Sequence, residues 1–227
     1  MDFKEFEKTI GYKFKNKELL TRALTHRSYL NENLEWKGKN NERLEFLGDA
    51  VLELISTEAL FTRFPDKPEG ELTSLRAALV NTVSLATVGR TINLDSSILM
   101  SKGEAADTGR AREAILADAM EAVIGAIYMD GGYKYARKFV EAHVMVRLEE
   151  ILKYSLHIDA KSALQERVQS LKKLTPHYEV LSQKGPDHQK EFTVGVYFGK
   201  ELASEGTGYS KHDAEVQAAR KALESLD

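Results

Sequence analysis

NERLEFLGDAV, residues 41–51, carries two patterns at once in this chain of 227 residues. Its apolar residues recur at intervals of three and four and continue to Leu54 and Ile55, which predicts an amphipathic helix. At about 100° per residue, Glu42, Glu45 and Asp49 fall within an arc of roughly 60° on the opposite side. No Lys or Arg lies on this arc to relieve the repulsion between the acids. The simplest interpretation is a solvated acidic face; the alternative is a site built from these acids.

A second acidic helix is predicted around residues 112–129, where Asp118 and Glu121 lie three residues apart among small side chains. If the two helices face each other, four or five carboxylates come together, which requires a divalent cation between them. Carboxylate oxygens without His or Cys suit Mg²⁺ or Mn²⁺ and are typical of metal-assisted phosphoryl chemistry. A di-iron helical bundle would need Glu-x-x-His pairs, and none of the six His residues has a Glu three positions before it.

The chain divides into two parts by its hydrophobic patterning. Residues 1–152 have helical periodicity, interrupted by polar breaks at 64–70 and 101–109. Residues 157–227 predict the order α-β-β-β-α, with strand-like alternation over 191–198. The predicted fold class is therefore an all-α domain followed by a small α+β domain whose helices cover one face of an antiparallel sheet.

The composition excludes several classes of protein. With no Cys, 15 Gly and 4 Pro, the chain is neither a disulfide scaffold nor collagen-like, and it has no thiolate chemistry. The first residues do not have the pattern of a signal peptide, and no apolar run reaches the ~20 residues of a membrane span. We therefore expect a cytoplasmic protein without a membrane partner. The net charge of −3 argues mildly against nucleic acid on composition alone.

Three motifs together resemble the ribonuclease III family in their pattern and order. They are LTHRS at residues 24–28, NERLEFLGDAV at 41–51 and ILADAME at 115–121. Bacterial members of this family carry a helical nuclease domain followed by a double-stranded-RNA-binding domain. The resemblance therefore implies an endonuclease domain at residues 1–152 and a double-stranded-RNA-binding domain at 157–227.

The resemblance also implies roles for the acidic residues. The metal ligands would be Glu45, Asp118 and Glu121, with Asp49 and Glu121 as catalytic acids and Glu42 and Glu69 as supporting acids. Mg²⁺ is the expected cofactor, with Mn²⁺ able to substitute. For Glu69, an ordinary acid near a helix N-terminus is the alternative. For His26, a packing or capping role is favoured over that of a base.

Three regions of the second domain are predicted to contact RNA. The first helix offers polar side chains that suit ribose 2′-hydroxyls in a minor groove, the loop between the first two strands could enter the next groove, and the last helix begins with a possible phosphate site. The predicted RNA-binding residues are Gln165, Glu166, Gln169, Lys184, His188, Ser210, Lys211 and His212. At Ser210 an ordinary turn and N-cap is the alternative. The last helix begins with fewer basic residues than the family pattern has there.

The function implied by the resemblance is cleavage of double-stranded RNA to 5′-phosphate and 3′-hydroxyl ends, in the processing of ribosomal, messenger, transfer and other precursor RNA. A duplex has two strands, so we expect a homodimer with two sites, and Phe46 is the candidate interface residue. The alternatives are a regulator that binds double-stranded RNA without cutting it and a purely structural helical protein. The intact set of acids argues against the regulator, and a structural protein would have to carry the acids as ordinary surface residues, with no affinity for metal.

Overall fold

The computed structural model describes residues 3–185 and 190–226 and separates into two compact units, Met1–His157 and Ile158–Asp227. The predicted fold class is confirmed: the first unit is helical, and the second combines two helices with a three-stranded antiparallel sheet. Within the described residues, no helix is long and apolar enough to cross a membrane.

The first unit contains ten α-helices among its described residues. They are α1 (Lys4–Ile10), α2 (Lys17–Ala23), α3 (Arg27–Glu32), α4 (Glu42–Arg63), α5 (Glu69–Val80), α6 (Thr82–Thr91), α7 (Lys102–Ala106), α8 (Arg110–Gly131), α9 (Tyr133–His143) and α10 (Leu148–Lys153), the last preceded by a 3₁₀ turn at Met145–Arg147. Both predicted breaks are partly wrong, because α5 begins at Glu69, inside the break at 64–70, and residues 101–109 contain α7. The Ser101 hydroxyl accepts the Glu104 N–H, and this N-cap starts a short helix in a polar segment.

The first unit is organised around α8, which is buried on nearly all sides over residues 115–127. Its closest neighbour is α4, and the two backbones meet at Gly48 and Gly125. A Cβ atom on Gly48 would lie 2.5 Å from the carbonyl carbon of Glu121, and one on Gly125 would lie 3.1 Å from that of Leu44. Only glycine permits this approach, which brings the acidic residues of α4 beside those of α8.

The second unit packs its helices against the sheet β1 (His177–Lys184), β2 (Glu191–Phe198) and β3 (Glu201–Gly208), paired in the order β1-β2-β3. The helices α11 (Ala160–Lys172) and α12 (Lys211–Glu224) share a core with Val196 and Phe198. α12 lies close on β3, because a Cβ atom on Gly206 would lie 2.9 Å from the carbonyl carbon of Gln217. This arrangement exposes the polar side of α11.

Candidate active site and RNA-binding surface

A cleft of about 340 Å³ lies where the start of α4 faces the first half of α8. Its lining brings together Glu42, Glu45 and Asp118 of the predicted acids. The remaining lining residues are His26, Arg27, Asn41, Glu104, Ala111, Ala114 and Ile115. Asp49 and Glu121 are not in this lining; they follow Glu45 and Asp118 by one helical turn on the same two helices.

Burial and neighbouring carboxylates raise the pKa values of two acids in this region, Glu45 and Glu121. Burial, followed by repulsion from Asp49, Asp118 and Glu45, raises the pKa of Glu121 to about 8. The pKa of Glu45 is raised by burial and by the charges of Asp118, Glu42 and Asp49. Burial also raises the pKa of Asp118, although His26 and Arg27 oppose that shift. These acids therefore share one electrostatic field, which a nearby cation would relieve.

The donor set suits a divalent cation, although the side chains do not enclose one. Across residues 3–185 and 190–226, no three His, Asp or Glu side chains are arranged to hold a metal ion. Carboxylates that repel one another favour rotamers that keep them apart. The oxygen-only donors fit Mg²⁺ or Mn²⁺ rather than zinc. A bound cation would also favour the charged form of the acids whose pKa values are raised.

Glu69 lines a different cleft from the predicted acids Glu42, Glu45 and Asp118. It is the first residue of α5 and is exposed, and it lines a separate cleft of about 390 Å³ with Phe61 and Arg76. Its position at a helix N-terminus matches the alternative interpretation given to it from sequence.

Phe46 is 81% exposed, and it shares its face of α4 with other exposed apolar side chains. Leu54 is 58% exposed and Phe61 is 71% exposed. At 100° per residue these three side chains fall within about 80° of one another. The placement of Leu54 on the buried face was therefore wrong, because α4 has a second apolar face with no partner in the described part of this chain.

Two cleft residues, His26 and Asn41, were missed or undervalued from sequence. His26 is the N-cap of α3, as its predicted capping role requires, and its Nδ1 accepts the Ser28 N–H at 3.3 Å. Burial and Arg27 lower its pKa, while Glu104, Asp118 and Glu42 oppose the shift. Asn41 is 1% exposed, and its side-chain Nδ2 has no hydrogen-bond partner in the described structure. Its position as the first residue of the motif at residues 41–51 was the only signal in the sequence.

Backbone hydrogen bonds between three chain segments hold these residues at the cleft. The His26 N–H donates to the Leu99 carbonyl at 2.9 Å, and the Leu99 N–H donates to Leu24 at 2.7 Å. The Asn41 N–H donates to the Thr25 carbonyl at 2.9 Å. Thr25 is completely buried, so these bonds are shielded from water. Segments far apart in sequence are thereby fixed beside the acids.

The predicted RNA-binding residues of the second unit lie on its surface where the structure describes them. Gln165, Glu166 and Gln169 are exposed on α11, Lys184 ends β1, and Lys211 and His212 are exposed at the start of α12. His188 lies outside the described residues. Ser210 is the N-cap of α12: its hydroxyl accepts the Asp213 N–H at 3.1 Å and donates to the Asp213 carboxylate at 2.6 Å. Ser210 therefore serves as an N-cap, and its contact with RNA stays a prediction.

Two family models match this chain, one in each structural unit. Residues 16–148 match the model described as Ribonuclease-III-like, and residues 160–226 match the Double-stranded RNA binding motif. The chain is 44% identical over 223 residues to Ribonuclease 3 of Borreliella afzelii, covering 98% of this chain and 91% of that protein. It is 43% identical over 227 residues to Ribonuclease 3 of Oceanobacillus iheyensis, covering 100% of this chain and 99% of that protein.

A solved structure resembles the first unit. The nuclease domain of ribonuclease III from Campylobacter jejuni is 43% identical, with a TM-score of 0.58, and the match covers 64% of this chain and 97% of that one. Its description refers to a region of that domain involved in dimer formation.

Proposed function

The chain belongs to the ribonuclease III family, and from this premise we propose that it hydrolyses phosphodiester bonds of double-stranded RNA in a Mg²⁺-dependent reaction that leaves 5′-phosphate and 3′-hydroxyl ends. The observation that carries the proposal is the electrostatic proximity of Glu121 to Asp49, Asp118 and Glu45: burial, followed by repulsion from these acids, raises the pKa of Glu121 to about 8. Strongly shifted pKa values are typical of functional sites, and carboxylates that repel one another would hold a cation that in turn binds a phosphate. Precursors of ribosomal, messenger and transfer RNA are the proposed substrates.

The residues divide the work between the two helices. Glu45, Asp118 and Glu121 would hold the metal ion, which supplies a water of lowered pKa and stabilises charge on the phosphate. Asp49, one turn beyond Glu45, would orient the attacking water through its carboxylate. The glycine contact between α4 and α8 holds these groups at a fixed separation. The exposed polar side chains of α11 and the start of α12 would hold the duplex through its backbone and its 2′-hydroxyls.

A cleavage assay tests this function directly. The full chain is incubated with long double-stranded RNA, single-stranded RNA or double-stranded DNA, in Mg²⁺ or in EDTA. We expect cleavage of double-stranded RNA alone, only with Mg²⁺, and 5′-phosphates on the products. Binding of the duplex without cleavage in either Mg²⁺ or EDTA would instead indicate a non-cleaving regulator.

We also propose a homodimer that uses the apolar face formed by Phe46, Leu54 and Phe61. Burying these exposed side chains against a second copy would remove a large apolar area from water. The change Phe46→Asp should give a monomer in sedimentation velocity. Leu34→Asp is the matched control, because Leu34 is 88% exposed and lies outside α4. A Phe46→Asp protein that remains dimeric would place the interface elsewhere.

A further inference from the structure

The hydrogen bonds of His26 fix which ring nitrogen carries its proton. The Ser28 N–H donates to Nδ1 at 3.3 Å, and a backbone N–H cannot exchange its role. The Ser28 hydroxyl lies 2.7 Å from the same nitrogen and already accepts the Ser101 N–H at 3.0 Å, so its own proton is free to point at Nδ1. Nδ1 is therefore an acceptor, and a neutral imidazole with this arrangement carries its proton on Nε2.

The cleft consequently holds two N–H donors without protein partners. Among the described residues, the hydrogen bonds of the His26 ring lie at Nδ1, which leaves Nε2–H available, and the buried Nδ2 group of Asn41 has no partner. Buried donors are costly to leave unpaired, and a ligand that accepts from them removes this cost. Asn41 is 1% exposed and lines the cleft, so its donor is part of a formed site and not of an open surface.

The charge of the cleft selects the kind of ligand. Its carboxylates come from Glu42, Glu45, Glu104 and Asp118, whereas Arg27 supplies its one permanent positive charge among the described lining residues. With Glu45 and Asp118 assigned to the proposed metal ion, the carboxylates of Glu42 and Glu104 remain beside Arg27. This remainder suits a neutral group that accepts from the N–H donors and donates to a carboxylate. A hydroxyl has both capacities, and the hydroxyl that RNA presents beside its phosphates is the ribose 2′-OH.

We propose that His26 and Asn41 bind one ribose 2′-hydroxyl of the substrate, so that the nuclease unit itself distinguishes RNA from DNA. The Nε2–H of His26 and the amide of Asn41 donate to the 2′-oxygen, and the 2′-OH donates to Glu42 or Glu104. This inference rests on the proposed function. It assigns to the cleft a recognition of sugar chemistry that is separate from the metal-binding acids.

Two substitutions of His26 separate its two nitrogens. In His26→Asn the side-chain oxygen takes the place of Nδ1 and keeps the cap of α3, while the distal donor is lost. In His26→Gln the amide nitrogen takes the place of Nε2, so the distal donor is kept. Asn41→Ala removes the second donor without loss of a cap, because the Asn41 side chain makes no cap hydrogen bond to the described residues of α4.

The experiment measures single-turnover cleavage by the full chain of duplexes with a single 2′-deoxy nucleotide at successive positions around the cut. At one position we expect the wild-type rate to fall by about tenfold or more, because removal of the 2′-OH takes away up to three hydrogen bonds. His26→Asn and Asn41→Ala should be slow on all-ribose RNA and lose most of this sensitivity, while His26→Gln keeps it. A wild-type cleavage rate that is unchanged by a 2′-deoxy nucleotide at every position would overturn the inference. So would His26→Asn and Asn41→Ala proteins that lose as much rate as wild type on the 2′-deoxy duplexes at every position.

Two further readouts keep the outcome unambiguous. The ¹⁵N spectrum of His26, recorded without metal, should show a protonated Nε2 and an unprotonated Nδ1, and the opposite tautomer would refute the argument. Thermal melting of each variant shows whether its fold is retained. If the variant of one donor is unfolded, the variant of the other donor is compared with wild type instead. Failure of the wild type to cut all-ribose RNA would instead refute the proposed function.

Discussion

Replacing Gly48 by Ala should force apart the two helices that carry the acids. The new Cβ atom would lie 2.5 Å from the carbonyl carbon of Glu121, where ordinary contacts begin at 3.4 Å. Because the obstacle is backbone in a buried helix, no rotamer change relieves it, and α8 must move by about 1 Å. Overpacking costs about 1–3 kcal/mol, and a backbone clash belongs at the upper end. At about 2–4 °C per kcal/mol, a cost of about 3 kcal/mol lowers Tm by roughly 6–12 °C.

The same displacement of α8 should also reduce the cleavage rate. A shift of about 1 Å between catalytic groups can cost on the order of 100-fold in rate. The assays are thermal melting and single-turnover cleavage well below the lowered Tm. The matched control is Gly70→Ala, since no described atom lies within 4 Å of its added Cβ. This control should melt at the wild-type temperature or slightly above it. Wild-type melting and cleavage by Gly48→Ala would refute the close-packing argument.

Three other predictions follow from the site and the fold. Glu121→Gln removes the charge at the proposed metal, so cleavage should fall by about 100-fold or more while duplex binding persists in a gel shift, with exposed Glu5→Gln as control. Residues 1–157 alone should cut weakly and recover in low salt, where phosphate contacts strengthen; a folded fragment inactive at every salt concentration would contradict this. Burial acts to raise the pKa of Asp130, but hydrogen bonds from the Asn16 and Lys15 N–H groups and from Tyr12 outweigh that effect, so the pKa is lowered. Asp130→Asn should therefore reduce the free energy of unfolding at pH 7, and the difference should shrink as pH falls through that pKa; urea titrations showing the same difference at pH 7 and pH 2.5 would exclude this.

The helices that carry the acids could be predicted because their periodicity is long and regular. Periodicity does not say which of two apolar faces has a partner within the chain, and Leu54 was misplaced for this reason. The short helix α7 was missed because a single N-cap, Ser101, starts it in a polar segment. Local caps of this kind compete closely with turns in energy.

The predicted acids could be named from sequence, but their assembly could not. The approach of α4 to α8 depends on Gly48 meeting the backbone of Glu121, a contact between residues far apart in the chain. Likewise, the donor of Asn41 is fixed through the backbone bond to Thr25, which no local pattern records. Glu69 begins a different helix after the break at residues 64–68 and lies in another cleft.

The contact between Gly48 and Gly125 cannot form during synthesis until both residues have been added to the chain. Gly48 and Gly125 are separated by about 77 residues, so the ribosome needs roughly 4–15 s to add the second after the first. Throughout that interval the apolar side chains Val51, Leu52 and Ile55 of α4 have no α8 to pack against. Long-range contacts of this kind form late and leave apolar surface open to aggregation or chaperones. The nascent chain is thus most vulnerable between the emergence of α4 and the completion of α8.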